Sequence, residues 1–245
     1  MNAEEIESLE RATVEAVAPA TVIEMDGWLI ALDPGTIRRA HSAAPLRHDI
    51  DASALNAIEA AYRTAGLTPA FRLSASEGLE VVRDVLTRRG YSDEQPTAVE
   101  VGDVARLATF CDSPGEILAR PDNAWGEVFL GPGFDPADGA QRVAALTRSP
   151  DAVYGRVREG GRTVAVGVVT FGHGWAGVHG MRTALACQGR GCASRVLAAL
   201  GRAALERGVE RVFLQVEEAN PARRIYRRAG FAPVWTYRYW TKGTA

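Results

Sequence analysis

Cysteine is scarce in this chain: three residues, Cys111, Cys187 and Cys192, among 245. An odd number without metal-ligand spacing argues against a disulfide framework or a zinc site, so no metal is expected. No stretch reaches the ~18 to 20 consecutive apolar residues that a membrane-spanning helix needs. The first residues, MNAEEIESLERATVEAVA, are acidic and amphipathic rather than basic and then apolar, so they do not read as a signal peptide. An excess of positive charge is missing too. With 28 Lys+Arg against 30 Asp+Glu and a pI near 6.1, neither a nucleic-acid nor a membrane-surface binder is expected. What is present, 47% hydrophobic and 24% charged residues, suits a folded globular chain and excludes wholesale disorder. At a loose ~150 residues per domain, this is one large domain or two small ones, expected in the cytoplasm.

The charge of −2 conceals two unlike halves. Residues 1–103 carry 9 Arg and 18 Asp+Glu, a net of −9, and residues 104–245 carry 19 Arg+Lys and 12 Asp+Glu, a net of +7. In the first half, helical spacing runs over residues 4–18 and Asp51–Ala65, and over Glu77–Arg89, which ends at Gly90. Strand patterns cover Thr21–Leu32, Ala70–Ser74 and Thr97–Val101. In the second half, short helices are predicted near Ala124–Leu130 and Asp138–Arg148. A hairpin follows, Ala152–Arg158 and Thr163–Phe171, then a strand near Trp175–Arg182 and a long helix from about Gly191 to Arg207. Val209–Val216 reads as a buried strand, Asn220–Ala229 as a helix and Phe231–Trp240 as a last strand. Strands alternating with helices imply an α/β organisation with a mixed sheet and at least one crossover.

The halves echo each other. Ala65-Gly66-Leu67-Thr68-Pro69-Ala70-Phe71 follows the same helix-end, glycine, strand pattern as Arg207-Gly208-Val209-Glu210-Arg211-Val212-Phe213. Leu86-Thr87-Arg88-Arg89-Gly90-Tyr91 likewise parallels Tyr226-Arg227-Arg228-Ala229-Gly230-Phe231. One helix-strand-helix-strand unit in each half accounts for both matches.

Between a strand and the long helix lies Gln188-Gly189-Arg190-Gly191-Cys192-Ala193. Two glycines let the main chain turn tightly with its N–H groups unobstructed. A helix N-terminus adds unpaired donors and partial positive charge, which makes a phosphate cradle. The segment is not a dinucleotide fingerprint, since Ser194 stands at the third glycine position, and it lacks the Gly-Lys-Ser/Thr ending of a P-loop.

Taken with Leu214-Gln215-Val216, Asn220, Ala222, Ile225-Tyr226 and Gly230-Phe231, the Gln-x-x-Gly-x-Ala loop resembles the GNAT superfamily of acetyl-CoA-dependent N-acetyltransferases. The likeness covers roughly residues 104–245 and is clearest from 163 to 240. It implies a GNAT fold, acetyl-CoA as co-substrate and acetyl transfer to a small-molecule or peptide amine. In that resemblance Gln188, Gly189, Arg190, Gly191, Cys192 and Ala193 hold the pyrophosphate through main-chain amides. Met181, Arg182 and Thr183 pair with the pantetheine arm like an added strand. Asn220 contacts the arm by its side-chain amide, and Tyr226 is the general acid toward the leaving thiolate. A lysine-like amine of pKa ~10.4 holds its nucleophilic form about 4.6 kcal/mol uphill at neutral pH, so the site must take a proton from it or bind it neutral. For a general base, which in the family is often a carboxylate of variable position, His179 and Glu217 are the candidates.

Blander readings stand beside these. Tyr226 can fill a helix–sheet seam, and Asn220 before Pro221 suits a helix N-cap. Cys192, without a base nearby in sequence, reads as packing. Residues 1–103 have Leu86 where the echo has Tyr226 and no equivalent glycine loop, so a degenerate GNAT-like N-terminal half is expected. Gly35-Thr36-Ile37-Arg38-Arg39-Ala40-His41-Ser42 and Phe71-Arg72-Leu73-Ser74 resemble the N-terminal half of two-domain bacterial members. The division expected is 1–103 and 104–245, with amine specificity in Asp112–Asp151 and an acidic half suited to a cationic amine. A homodimer is compatible with the sequence. A non-catalytic acyl-CoA-binding module and transfer of a longer acyl group are the alternatives.

Overall fold

The computed structural model describes residues 1–243. The first helix, α1 (Ala3–Ala16), begins on a reciprocal cap in which the Glu5 N–H donates to Asn2 Oδ1 at 2.8 Å and the Asn2 N–H donates to Glu5. Then come β1 (Thr21–Met25), β2 (Trp28–Leu32), β3 (Ala43–Pro45), α2 (Leu55–Thr64), β4 (Ala70–Ser74), α3 (Glu80–Arg88) and β5 (Ser92–Asp103). The second half continues with α4 (Val104–Ala108), β6 (Glu116–Leu118), α5 (Asn123–Leu130), α6 (Pro136–Leu146), β7 (Ala152–Glu159), β8 (Arg162–Gly172) and β9 (Trp175–Thr183). It ends with α7 (Cys192–Glu206), β10 (Arg211–Glu217), α8 (Arg223–Arg228) and β11 (Ala232–Thr241).

The eleven strands of the described residues form one mixed sheet in the order β1-β2-β3-β4-β11-β5-β10-β9-β8-β7-β6. Among the described residues β3–β4 and β9–β10 are the parallel pairs. Alternation along the strands assigns the helices to faces. Phe213, Tyr237 and Tyr239 pack with Leu9 and Ala12 of α1, and Val166 and Val168 pack under α5 and α6. On the other face Val212, Leu214 and Val216 pack under α4, α7 and α8, while Phe71, Leu73 and Trp240 pack under α2 and α3.

The echo in the sequence is a structural repeat. α2-β4-α3-β5 and α7-β10-α8-β11 run in the same order, and each half ends its two helices alike. Leu67 and Val209 N–H groups reach back to the Tyr62 and Ala204 carbonyls, as Tyr91 and Phe231 do to Leu86 and Tyr226. Each of these ends turns through a glycine at positive φ, Gly66, Gly90, Gly208 or Gly230. The repeats exchange their last strands, because β11 lies between β4 and β5 while β5 lies between β11 and β10. The boundary at 103/104 therefore falls at the end of a strand embedded beside strands of the second half.

Some elements differ from the sequence-based expectation. Thr21–Leu32 is not one strand but the β1–β2 hairpin, turning at Asp26-Gly27 with φ of 48° and 77°. Both residues of such a two-residue turn sit at positive φ, which Asp-Gly supplies. The strand expected at Thr97–Val101 extends over Ser92–Asp103, and the short β3 and β6 were not anticipated.

Candidate active site

Two strands that start side by side come apart. β10 pairs with β9 from Arg211↔Trp175 to Leu214↔Val178 and no further, although β9 stays on β8 to Thr183 and β10 stays on β5 to Glu217. The parting coincides with a bulge: between Val168↔His179 and Val166↔Arg182, β9 has one residue more than β8. Gly180 takes φ +57° there, and a Cβ on it would meet Leu146 Cδ1 at 2.5 Å. Met181, Arg182 and Thr183 thus have one edge on β8 and the other facing the gap. The Met181 side chain packs with the α7-side core, while Arg182 lies over the Phe134 and Phe129 rings at 4.2 and 5.4 Å on the α5 side.

After β9 the chain makes a 3-10 turn, Leu185–Cys187, and enters the glycine loop. Gly189 and Gly191 have φ of +76° and +80°, with open space where a Cβ would stand. The Gln188 N–H donates to the Leu185 carbonyl. Among the described residues the N–H groups from Gly189 to Ser194 make no hydrogen bond of good geometry to a protein atom, and Gly191 caps α7 without any side-chain bond. Six consecutive free donors at the start of a 15-residue helix fit a diphosphate. Arg190 bridges to Glu159, Nη2 to Oε2 at 2.9 Å. Cys192 is buried with its Sγ toward the same carboxylate at 3.6 Å, and burial followed by that charge pushes its thiol pKa up. A thiol so placed stays protonated, as packing requires.

Tyr226, on α8, is buried at 9% exposure, and its hydroxyl makes no hydrogen bond within the protein. Burial first, then the Glu100 charge, raises its pKa to about 12. Glu100 is held by Arg223 Nε at 2.9 Å. Asn220 Oδ1 accepts the Ala222 N–H at 2.9 Å, leaving its NH2 group unbonded. The N-cap reading of Asn220 does not hold, since α8 begins at Arg223 with Ala222 in the cap position; Asn220 Oδ1 instead closes a turn two residues ahead of the helix, and its amide is free at the cavity.

Met181, Arg182, Asn220 and Tyr226 line one cavity of about 330 Å³ between the parted strands. Its other walls come from distant segments: Thr36–Arg39, Gln95 and Thr97 of β5, Phe129, Arg142 and Leu146, and Tyr237 and Tyr239 of β11. The loop 188–193 is not among the lining residues; it lies at the α7 start.

His179 is buried with a pKa well below the usual histidine value, from burial and then from Arg39. Arg39 Nη1 stands 3.5 Å from its Nδ1 and occupies that lone pair, so the remaining nitrogen carries the proton and His179 is a poor base. Glu217 is the one carboxylate among the lining residues. Its Oε1 accepts from Gln95 Nε2 at 2.6 Å, and Gln95 Oε1 accepts from Arg38 Nη1 at 2.7 Å. Sequence reasoning missed Gln95. It sits at φ +56° in a β5 bulge, between Tyr237↔Thr97 and Tyr239↔Glu94, and the Pro96 that follows it was the available signal.

An acidic, cation-seeking cleft is not what the N-terminal half provides. The cavity has Arg38, Arg39, Arg142 and Arg182 against Glu217, because most of the acidic residues of 1–103 are turned to solvent. Among the described residues no cluster of metal-ligating side chains occurs, and no helix is long and apolar enough to cross a membrane.

Over residues 3–240 the chain matches the family described as "Probable histone acetyltransferase Rv0428c C-terminal". A relative from Bacillus subtilis (strain 168), called an uncharacterized N-acetyltransferase YobR, is 25% identical over 221 residues, covering 86% of this chain and 88% of its own. A solved GCN5-related N-acetyltransferase from Kribbella flavida aligns with a TM-score of 0.72 at 17% identity, over 98% of this chain and 96% of its own. A tandem GNAT protein from the clavulanic acid biosynthesis pathway aligns at 0.61 and 14% identity, over 100% and 89%. At those identities the two solved structures speak for the fold, which is GNAT in tandem form.

Proposed function

The chain belongs to the Rv0428c C-terminal acetyltransferase family, and from that premise we propose that it moves the acetyl group of acetyl-CoA directly onto a primary amine. The observation that carries this reading is the row of six free main-chain donors, 189 to 194, directly after a strand that parts from its neighbour beside Tyr226. The residues fit the co-substrate: amides for the diphosphate, an unpaired strand edge at 181–183 for the pantetheine arm, and the Asn220 amide alongside. Acetyl-CoA supplies the acyl group as a thioester, whose thiol leaves with a pKa near ~8.5.

Tyr226 donates to the departing sulfur. Raised to about 12, its phenol is protonated at every working pH and needs no prior proton uptake. Glu217 takes the proton from the incoming ammonium, with Gln95 and Arg38 fixing its orientation. The cluster of guanidinium groups helps, since neighbouring positive charge favours a neutral amine over an ammonium. The remaining work is alignment of amine and carbonyl in one small cavity. The first half takes part, contributing Thr36–Arg39 and Gln95 to the walls.

The test combines calorimetry with CoA and a thiol-release assay with acetyl-CoA and a panel of amines, the product identified by mass. One thiol released per acetylated amine is expected. CoA binding without turnover on any amine points to a binding module, and absence of both binding and release removes the reading.

A further inference from the structure

The charged groups around the cavity divide by face. The donor row 189–194 opens α7 on one side of the sheet, with Tyr226 on that same side. Arg39, Arg142 and Arg182 lie on the opposite side, with α1, α5 and α6. The loop 189–194 and these guanidinium groups are therefore on different faces of the sheet, and the arginines are clear of the loop.

Not all four arginines are free. Arg38 is bridged to Glu94 at 2.6 Å and lies over the Tyr239 ring, and Arg142 Nε donates to Asp138 at 2.6 Å. Among the described residues Arg39 and Arg182 make no ion pair; Asp138, which is bonded to Arg142, acts on Arg182 only at longer range. Arg39 Nη1 donates to Gln215 Oε1 at 3.1 Å, and Gln215 also receives the Tyr237 hydroxyl at 3.0 Å while donating to Thr13. That network fixes the guanidinium while leaving its Nε and Nη2 unbonded. Arg182 rests on two aromatic rings that supply no counter-charge, and its Nε is buried without any partner. Two anchored guanidinium groups without an ion-pair partner, lining one small cavity, present N–H donors that an anion would complete.

We propose that the acceptor is a small primary amine that also carries an oxyanion, a carboxylate or a phosphate, bound by Arg39 and Arg182 while its amino group faces Glu217. The proposal rests on the acetyl-transfer reading above and narrows its substrate class. A guanidinium presents paired N–H donors that match either oxyanion, and a cavity of about 330 Å³ shared with the pantetheine end suits a small molecule.

The test uses matched amines on the full chain: 4-aminobutanoate against butylamine and 1,4-diaminobutane, and 2-aminoethyl phosphate against ethanolamine. Each is titrated by calorimetry into CoA-loaded protein and assayed for acetylation with acetyl-CoA. The anionic members are expected to bind at least tenfold tighter than the counterparts that lack the oxyanion and to show at least tenfold higher kcat/KM. The pair with the larger ratio distinguishes carboxylate from phosphate. Arg39→Gln and Arg182→Gln should each erase most of the preference, and Arg39→Gln should leave the KM for acetyl-CoA within about twofold. Acetylation of butylamine, 1,4-diaminobutane and ethanolamine, which lack the oxyanion, with equal efficiency overturns the proposal and leaves acetyl transfer standing. Arginine-dependent anion binding without turnover does the reverse. A preference that survives in both variants, or no binding by any anionic amine, overturns the assignment of these two residues.

Discussion

Replacing Tyr226 with phenylalanine separates an enzyme from a binding module, and the size of the effect follows from the site. A phenol at about 12 facing a thiol of pKa ~8.5 is a weaker acid by about 3.5 units, so complete proton transfer to a free thiolate is uphill by about 4.8 kcal/mol. What the phenol can give at once is a hydrogen bond to a sulfur on which charge is developing, about 1.5–3 kcal/mol. The expected loss in kcat is accordingly about ten- to 150-fold, with the KM for acetyl-CoA nearly unchanged. Because the hydroxyl bonds to no protein atom, the variant should melt within a few degrees of the parent. The basic limb of the pH–rate profile should be the same in both proteins, since Tyr226 stays protonated well past pH 10. Steady-state thiol release from pH 6 to 10 measures all of this. A change in kcat of less than threefold refutes the donor role. A loss near ten-thousandfold refutes the argument from acidity, because it requires full proton transfer that the unequal pKa values forbid.

Changing both Gly189 and Gly191 to valine puts branched side chains at φ near +80°, at about 1–2 kcal/mol each. The new side chains also fill the space beside the free amides, so the KM for acetyl-CoA should rise at least tenfold while the circular-dichroism spectrum keeps its shape. Expressed alone, residues 104–245 lack β5 and leave facing edges of β10 and β11 unpaired, so they should be insoluble or unfolded, judged by solubility and near-ultraviolet dichroism. His41, His48 and His179 all have pKa values lowered chiefly by burial. The unfolded chain takes up their protons below about pH 6.5 and the folded one resists, so stability is complete above that pH and lost as it falls, by up to about 1.4 kcal/mol per pH unit for each histidine. In urea titrations from pH 8 to 5, His179→Gln should show a shallower decline than the parent; an identical slope contradicts the assignment.

What could be read from the sequence depended on how local the cause was. The glycine loop was legible because positive φ and an unobstructed amide are properties of the residues themselves, and the structure finds both at Gly189 and Gly191. The Asp26-Gly27 turn was equally local, and it went unread because the apolar run on either side suggested a single strand. Gln95 was hidden for a different reason: its role lies in what it joins, Arg38 from the first half and Glu217 from the second. The charge of the cavity was illegible from net charge. A sum of −9 counts side chains mostly exposed to water, whereas the four lining arginines come from three separate segments whose convergence is set by the sheet.

The exchange of last strands explains why a half that has lost the glycine loop and the tyrosine is still part of the site. β10 leaves β9 after four residue pairs, a departure that would strand the N–H and C=O groups of Gln215, Val216 and Glu217 along both edges if β10 had no other neighbour. It has one: β5 pairs with it over all seven residues, from Arg211↔Asp103 to Glu217↔Thr97. A buried unpaired main-chain group costs about as much as a lost hydrogen bond, so the gap can open on one side only because the ladder is complete on the other. The same strand bulges at Gln95 to orient Glu217, and the loop two strands earlier delivers Arg38 and Arg39. The degenerate half thus supports the opening between β9 and β10 and furnishes part of the cavity wall, through its β5 backbone and its Arg38, Arg39 and Gln95 side chains and none of its lost motifs.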